Sequence, residues 1–421
     1  MWRHGLLYKL YKLGINGKCW SIIDDCHTNT SSSVIVNQTQ SRWFNVLQGV
    51  RQGGVLSSFL YLVFVNELID ELEQSSSCIK VLNVANNCPT LADDISLISL
   101  TPLALQNMLN IAHEYSKKWQ FKFNADKSCV MQFRSKGRNQ DFTWTLGDKL
   151  VPCKDSHTHL GITVNNNGSL SDHIKNTCRK GHNSFYAFTD IGSPYLNPLT
   201  LTKLYKSVVL PSVLYGFELW NNISAVDSQR LQVFQHSICK STMNLPCQTR
   251  SDMCESLLDV YPISAEIDAR KLLFFGRLCR MSSQSLPKQT FLLRLFSYLL
   301  ELTNNQRGFM PDVLQLLTTY NLIDHLHQWI EDGFFPSKHS WKIIIRSTIN
   351  KTHRDQRFLR MSSDSDFSRF LAIFNGRYPS LFWQIPKSCH EIRLCKFICK
   401  LITDSPRDYQ DFCQCCGAKF K

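Results

Sequence analysis

Residues 90–100 read TLADDISLISL, with apolar residues on both sides of two adjacent carboxylates, Asp93 and Asp94. The pattern predicts strand, turn, strand, with the acids at the tip. Two carboxylates at the apex of an apolar hairpin are costly unless a cation or water compensates them. Hard divalent cations such as Mg²⁺ take that ligand type, commonly with one or two protein carboxylates completed by substrate phosphate and water. Successive strand residues face opposite ways, so one acid should point into a site more directly than the other. The expectation is Asp93 as the inner ligand, with Asp94 assisting from the turn. The competing reading is a solvated turn, because Asp favours turns for local hydrogen-bonding reasons. A second dyad, Asp24–Asp25, follows a helical pattern and lacks flanking strands.

Upstream, Leu6–Cys26 reads as helix interrupted at Gly14–Gly17, Ser33–Asn37 and Trp43–Leu47 as short strands, and Val55–Leu72 as a helix with apolar residues at helical spacing. Between them lies QGVRQGGVLS (Gln48–Ser57), whose three glycines permit close backbone approach to a bulky ligand just before a helix begins. Arg51 and Gln52 would offer donors to phosphate or base, the plainer alternative being a connecting turn. Downstream, Thr101 and Pro102 form an N-cap and first-position pair, and Leu105, Met108, Leu109, Ala112 and Trp119 lay one apolar stripe along the helix they open. Cys129–Phe133 and His159–Val164 read as strands, and the pattern is mainly helical beyond about Asn166. The chain is therefore α+β over its first 165 residues and helical after that.

Composition bounds the rest. With 421 residues, 43% hydrophobic and 19% charged, the chain has enough apolar material for two or three folded units, which excludes disorder as its main state. The net charge is +13, and residues 338–421 carry 16 Lys+Arg against 7 Asp+Glu, so +9 of it lies in that stretch. A basic region of this kind suits a polyanion such as nucleic acid. The N-terminus is broken by Arg3, Lys9 and Lys12, and the most hydrophobic run, Phe291–Leu302, is too short for a membrane span and contains Arg294. Together with 17 cysteines and no secretory signal, this predicts an intracellular protein, nuclear or cytoplasmic, with no membrane partner. Cys413-x-x-Cys416 has half the spacing of a zinc site, and an intact one is not expected.

The order of these pieces resembles the reverse transcriptase of non-LTR (LINE-type) retrotransposons. The carriers of the resemblance are the QGVRQGGVLS loop leading into a helix, the ADD hairpin, the helix after it, the Asn124–Lys127 (NADK) strand entry and His159-Leu160-Gly161. MWRHGLLYKLYKLGI looks like the helix after the family's first catalytic block, and Leu204–Trp220 and Lys271–Leu278 look like thumb and post-polymerase helices. The resemblance implies a partial fingers and palm over 1–165, in which an antiparallel sheet packs with helices. It implies a helical thumb or connection over 166–290, and a basic, mainly helical region with half a zinc knuckle over 291–421. Carried over by position, Asp93 and Asp94 would bind metal, and Arg51, Gln52 and Gly53 would contact template and incoming nucleotide. Lys127 would protonate departing pyrophosphate, and His159, Leu160 and Gly161 would grip the primer end. Two Mg²⁺ ions, an RNA template, a DNA primer and deoxynucleoside triphosphates are the implied cofactors and partners.

The departures from the family pattern carry expectations too. Leu91 stands where an aromatic residue is usual, and Ser58 where a proline is usual. The family's first metal-binding Asp would fall just before Met1, so the domain reads as truncated at both ends and impaired as a polymerase. The alternative is a non-catalytic nucleic-acid-binding protein, resting on the basic C-terminal third and its interleaved aromatics Trp341, Phe358, Phe374, Tyr378 and Trp383.

Overall fold

A computed structural model describes all residues except 76, 82, 83, 86, 134–141, 190–195, 222, 301–307, 375–378 and 404–421. Tyr378 and the Cys413–Cys416 half-knuckle lie outside the described residues. The chain divides into two units, Met1–His157 and Thr158–Lys421.

The first unit opens with α1 (Arg3–Lys12) and α2 (Gly17–Asp25), separated at the glycines as the sequence predicts. Two small ladders follow. β1 (Ser31–Ser32) and β4 (Phe44–Asn45) pair antiparallel, and so do β2 (Ile35–Val36) and β3 (Thr39–Gln40). Then come α3 (Ser57–Gln74), β5 (Lys80–Val81) with β6 (Val84–Ala85), and β7 (Thr90–Leu91) with β8 (Asp94–Ile95). After α4 (Pro102–Lys118), β9 (Trp144–Leu146) pairs with β10 (Lys149–Val151). Thr101 caps α4 as expected, its hydroxyl accepting from the Ala104 N–H at 3.2 Å with Pro102 at the first turn.

The predicted apolar stripe of α4 divides between two cores. Met108, Ala112 and Trp119 join Leu6, Leu10, Leu60, Phe64, Leu68 and Leu72, while Leu105 and Leu109 pack against Val130, Trp144 and Val151. A helix flanked on two sides has a wider apolar arc than one stripe suggests.

Several strand expectations change. The antiparallel sheet exists, among the described residues, as separate two-stranded ladders. Cys129–Phe133 forms no strand and contributes only a single parallel bridge, Val130 to Cys153. His159–Val164 is not one strand, because Leu160 and Gly161 take positive φ (50° and 79°) and fold β11 (Ser156–His159) back on β12 (Ile162–Asn165). Positive φ at both central residues makes this a two-residue hairpin turn, which no alternation pattern signals unless Gly marks it.

The second unit is helical beyond that hairpin, in the order α5 (Ser171–Thr189), α6 (Pro198–Leu204), α7 (Leu210–Val213), α8 (Ala225–Met243), α9 (Ser251–Leu258), α10 (Ile263–Arg280), α11 (Leu286–Leu299), α12 (Phe309–Thr319), α13 (Asp324–Asp332), α14 (Lys338–Ser362), α15 (Ser368–Phe374) and α16 (Cys389–Thr403). One core gathers Ala265, Leu272, Phe275, Leu295, Leu317, Trp341 and Ile345, so α10, α11, α12 and α14 pack as one body. A second core gathers Cys254, Leu257, Phe367, Trp383 and Cys399.

These cores correct the reading of the C-terminal aromatics as a stacking surface. Trp341 and Trp383 are fully buried and Phe374 packs against the second core, leaving Phe358 exposed on α14. Large aromatics in a helical region bury for their area before they serve a partner. No described helix is long and apolar enough to cross a membrane.

Candidate active site

The β7–β8 hairpin is built on α3. Its ladder pairs Thr90 with Ile95 and Leu91 with Asp94. It is extended at the base by Ser96 N–H to Pro89 O (3.0 Å) and Ile98 N–H to Asn87 O (2.7 Å). Asn87 is fully buried, and its amide donates to Leu72 O near the end of α3 at 3.4 Å. Ile95 and Leu97 pack into the core that Leu60, Phe64 and Leu68 of α3 help to form. The tip lies within electrostatic reach of the other end of that helix. The Tyr61 phenol is pushed above its ordinary pKa first by burial and then by the charges of Asp93 and Asp94.

This register corrects the expected placement of Asp94 in the turn. With Leu91 opposite Asp94, the two-residue turn is Ala92–Asp93, so Asp93 sits in the turn and Asp94 begins β8. Both carboxylates are exposed, and neither has an ion-pair or hydrogen-bond partner among the described side chains. Ala92 takes φ +52°, a conformation that non-glycine residues seldom adopt.

The glycine loop precedes α3 directly. Gly54 N–H donates to Arg51 O at 3.1 Å, closing a turn whose third residue, Gly53, has φ +79°. A type II turn needs positive φ there, which is why glycine fits. Gly54 is tight for another reason: a Cβ would lie 2.6 Å from Ser57 Oγ and 3.1 Å from Arg51 O. The Ser57 hydroxyl donates to Arg51 O, so the loop is stapled to the first turn of α3. Arg3 holds it from the other side, donating to Gly49 O at 3.1 Å and to His27 O and Thr30 Oγ1. Arg51, Gln52 and Gly53 are exposed, while Val50 packs in the same core as Tyr61 and Ile95.

The loop, the start of α3 and the acid hairpin are therefore assembled on one core. Lys127 is exposed in a turn where its backbone N–H donates to Asn124 O and Asn124 Oδ1, each at 3.2 Å, and no described contact joins it to the acids. The His159-Leu160-Gly161 turn belongs to the second unit, where a Cβ on Gly161 would meet the Tyr215 ring at 3.4 Å.

Sequence reasoning missed Tyr61, Asn87 and Arg3. Tyr61 reads as one more apolar position of a helix, Asn87 as a polar loop residue, and Arg3 as a surface charge. No local pattern announces a tertiary hydrogen bond.

Chemically, adjacent hard oxygen donors with free lone pairs suit a divalent cation whose remaining positions go to phosphate and water. Among the described residues, no three His, Cys, Asp or Glu side chains converge as a metal-holding group.

The reverse transcriptase (RNA-dependent DNA polymerase) family model matches residues 1–164. The chain is 22% identical over 268 residues to the RNA-directed DNA polymerase from mobile element jockey of Drosophila melanogaster, covering 62% of the chain and 29% of that protein. It is 24% identical over 276 residues to the jockey polymerase of Drosophila funebris, covering 63% and 29%. To the probable RNA-directed DNA polymerase from transposon BS of Drosophila melanogaster it is 23% identical over 304 residues, covering 67% and 32%. The chain thus spans less than a third of the length of each of these relatives. Within it, residues 1–164 are a domain of the reverse transcriptase family, of the kind found in non-LTR (LINE-type) mobile elements.

Proposed function

We propose that the first unit is the palm side of an RNA-directed DNA polymerase site, and that Asp93 and Asp94 would hold a divalent cation, Mg²⁺ by donor type, beneath a growing DNA end. The observation that carries this reading is the placement of two unpaired carboxylates over α3, on the same core as the glycine loop. When bound, the cation would neutralise phosphate charge and polarise the phosphoryl group.

The chain's own residues would do the rest. The α3 scaffold and the buried Asn87 amide anchor the hairpin backbone that would present the acids to the cation. Arg51 and Gln52 would donate to template or incoming nucleotide from a loop clamped by Arg3 and Ser57. Lys127 would present its ammonium as the proton donor for departing pyrophosphate. The His159-Leu160-Gly161 turn would bear on the primer, and the helices after it would serve as a thumb. RNA template, DNA primer and deoxynucleoside triphosphates are the partners this chemistry needs.

These 421 residues alone would polymerise poorly. Two carboxylates share a cation's charge less effectively than three, and no third acid converges on the pair among the described residues. The test is extension of a primed RNA template by the wild-type chain and by Asp93→Ala, with template capture measured in parallel. Both proteins should capture primed template with an affinity that falls steeply with salt, and the wild type should extend it no faster than the variant. Faster wild-type extension overturns the impairment, and failure to capture primed template overturns the polymerase reading.

A further inference from the structure

The two ladders between Thr30 and Val46 form one long hairpin whose halves are out of step. The outer half pairs Ile35 with Gln40 and Val36 with Thr39, and the inner half pairs Ser31 with Asn45 and Ser32 with Phe44. Ser33 and Val34 therefore face three residues, Ser41, Arg42 and Trp43, which makes a β-bulge. Ser41 holds the bulge in place. Its hydroxyl accepts from the Val34 N–H and donates to Arg42 O, each at 3.0 Å, while its own N–H donates to Val34 O at 2.9 Å. Bulges re-aim side chains, and both residues after Ser41 are turned to solvent. Trp43 is 65% exposed, and neither its ring nor the Arg42 guanidinium has a partner among the described residues. Val34, Ile35, Val36 and Phe44 are exposed on the same arm, so Trp43 is not an isolated apolar residue.

The charge of this stretch suits a polyanion. No Asp or Glu occurs between Asp25 and Glu67, whereas Arg42 and Arg51 both stand exposed. The foot of the arm is tied to the glycine loop: the Val46 N–H donates to Thr30 O at 2.8 Å, and Arg3 donates to Thr30 Oγ1 at 2.9 Å and to Gly49 O at 3.1 Å. We propose that Arg42 and Trp43 form a contact for single-stranded nucleic acid, the indole stacking on an unpaired base and the guanidinium meeting a neighbouring phosphate. Every base has a π-face, so such a contact needs no particular sequence. Inside a duplex both faces of a base are covered by its neighbours, which restricts the contact to a single strand. A purely apolar protein partner would leave Arg42 without a role. The inference deepens the polymerase reading, on which it rests for taking that strand as the template.

The test is fluorescence anisotropy of the full chain with labelled oligouridine and oligothymidine strands of about 20 nucleotides and with a blunt duplex, over a range of salt. The wild type should bind the single strands, and Trp43→Ala should weaken that binding at least about fivefold with the salt slope unchanged. Trp43→Phe, which keeps an aromatic face, should retain most of the affinity. Arg42→Ala should lower the slope of log affinity against log salt by about 0.7, the value of one phosphate contact on a single strand. Duplex binding should not respond to Trp43. Preference for oligouridine identifies RNA as the strand, and equal binding identifies either chemistry as sufficient. Failure of the wild type to bind either strand overturns the inference, as does Trp43→Ala binding as tightly as the wild type, which would leave the arm to a protein partner. Trp43→Phe as weak as Trp43→Ala overturns it too. The polymerase reading fails separately: strand binding through Trp43 without capture of primed template would overturn that reading alone.

Discussion

Leu91 and Asp94 face each other as the closing pair of the acid hairpin, and everything at its tip follows from that pairing. Two residues remain for the turn, Ala92 and Asp93, and Ala92 is driven to φ +52° to make it. Hairpin turns of this length usually reserve such a conformation for Gly, Asn or Asp. The strain sits directly beside the two carboxylates, where backbone strain commonly accompanies a functional constraint.

Ala92→Gly should therefore stabilise the first unit, by about 1 kcal/mol in urea unfolding, because glycine meets no Cβ penalty at positive φ. The same change loosens the tip and should weaken cation binding at Asp93 and Asp94. A variant less stable than wild type would show that Ala92 is not strained in the folded protein.

Lys9 is buried in the core of the first unit. Its ammonium lies 3.8 Å from the centre of the Trp119 ring, donates to Phe64 O (2.9 Å) and Glu67 Oε2 (2.8 Å), and also contacts the Tyr115 hydroxyl. Burial lowers its pKa, with Glu67 opposing that effect. Lys9→Ala removes the stem packing and the cation–π contact together and should cost about 2–5 kcal/mol. Glu67→Ala should cost less, about 1 kcal/mol, because that carboxylate is half exposed. Equal costs for the two would mean that the ion pair, rather than the aromatic cage, holds Lys9 in place.

Asp268 makes the second unit pH-sensitive in a definite direction. Its pKa is about 6 in the fold against an ordinary 3.8: burial raises it, Asp312 adds to that, and the Tyr320 hydrogen bond and Lys271 oppose it. A carboxyl whose pKa is raised on folding contributes stability that is complete below the unfolded value and is lost as pH rises through the folded value. Unfolding midpoints of the second unit should thus decline between pH 4 and about 6 from this group, and Asp268→Asn should flatten that decline. An unchanged profile in the variant would place the sensitivity elsewhere.

Much of this architecture was legible wherever a local cause was sufficient. The Thr101–Pro102 cap and the glycine break between α1 and α2 follow from residue chemistry within a few positions, and so does the strand-turn-strand reading of residues 90–100 as far as Ile95, where the second strand ends. Where the outcome depended on register or burial, the reading slipped. A shift of one residue decides whether Asp93 or Asp94 occupies the turn, and apolar alternation does not fix it. The His159–Val164 run alternates well enough for a strand, yet Leu160 and Gly161 together form a turn. Trp341 and Trp383 sit among basic residues in sequence but bury against α10 and α9 neighbours in space. Lys9, one of three basic residues of α1 beside Arg3 and Lys12, reads as solvated until Trp119 and Tyr115 are brought over it from more than a hundred residues away.

The most direct measurement is Mn²⁺ titration of the full chain followed by electron paramagnetic resonance, comparing wild type with the Asp93→Asn/Asp94→Asn double variant. Loss of at least tenfold in Mn²⁺ affinity, with circular dichroism unchanged, is the predicted result. Equal binding by both proteins would contradict it, leaving the paired acids as an ordinary solvated turn.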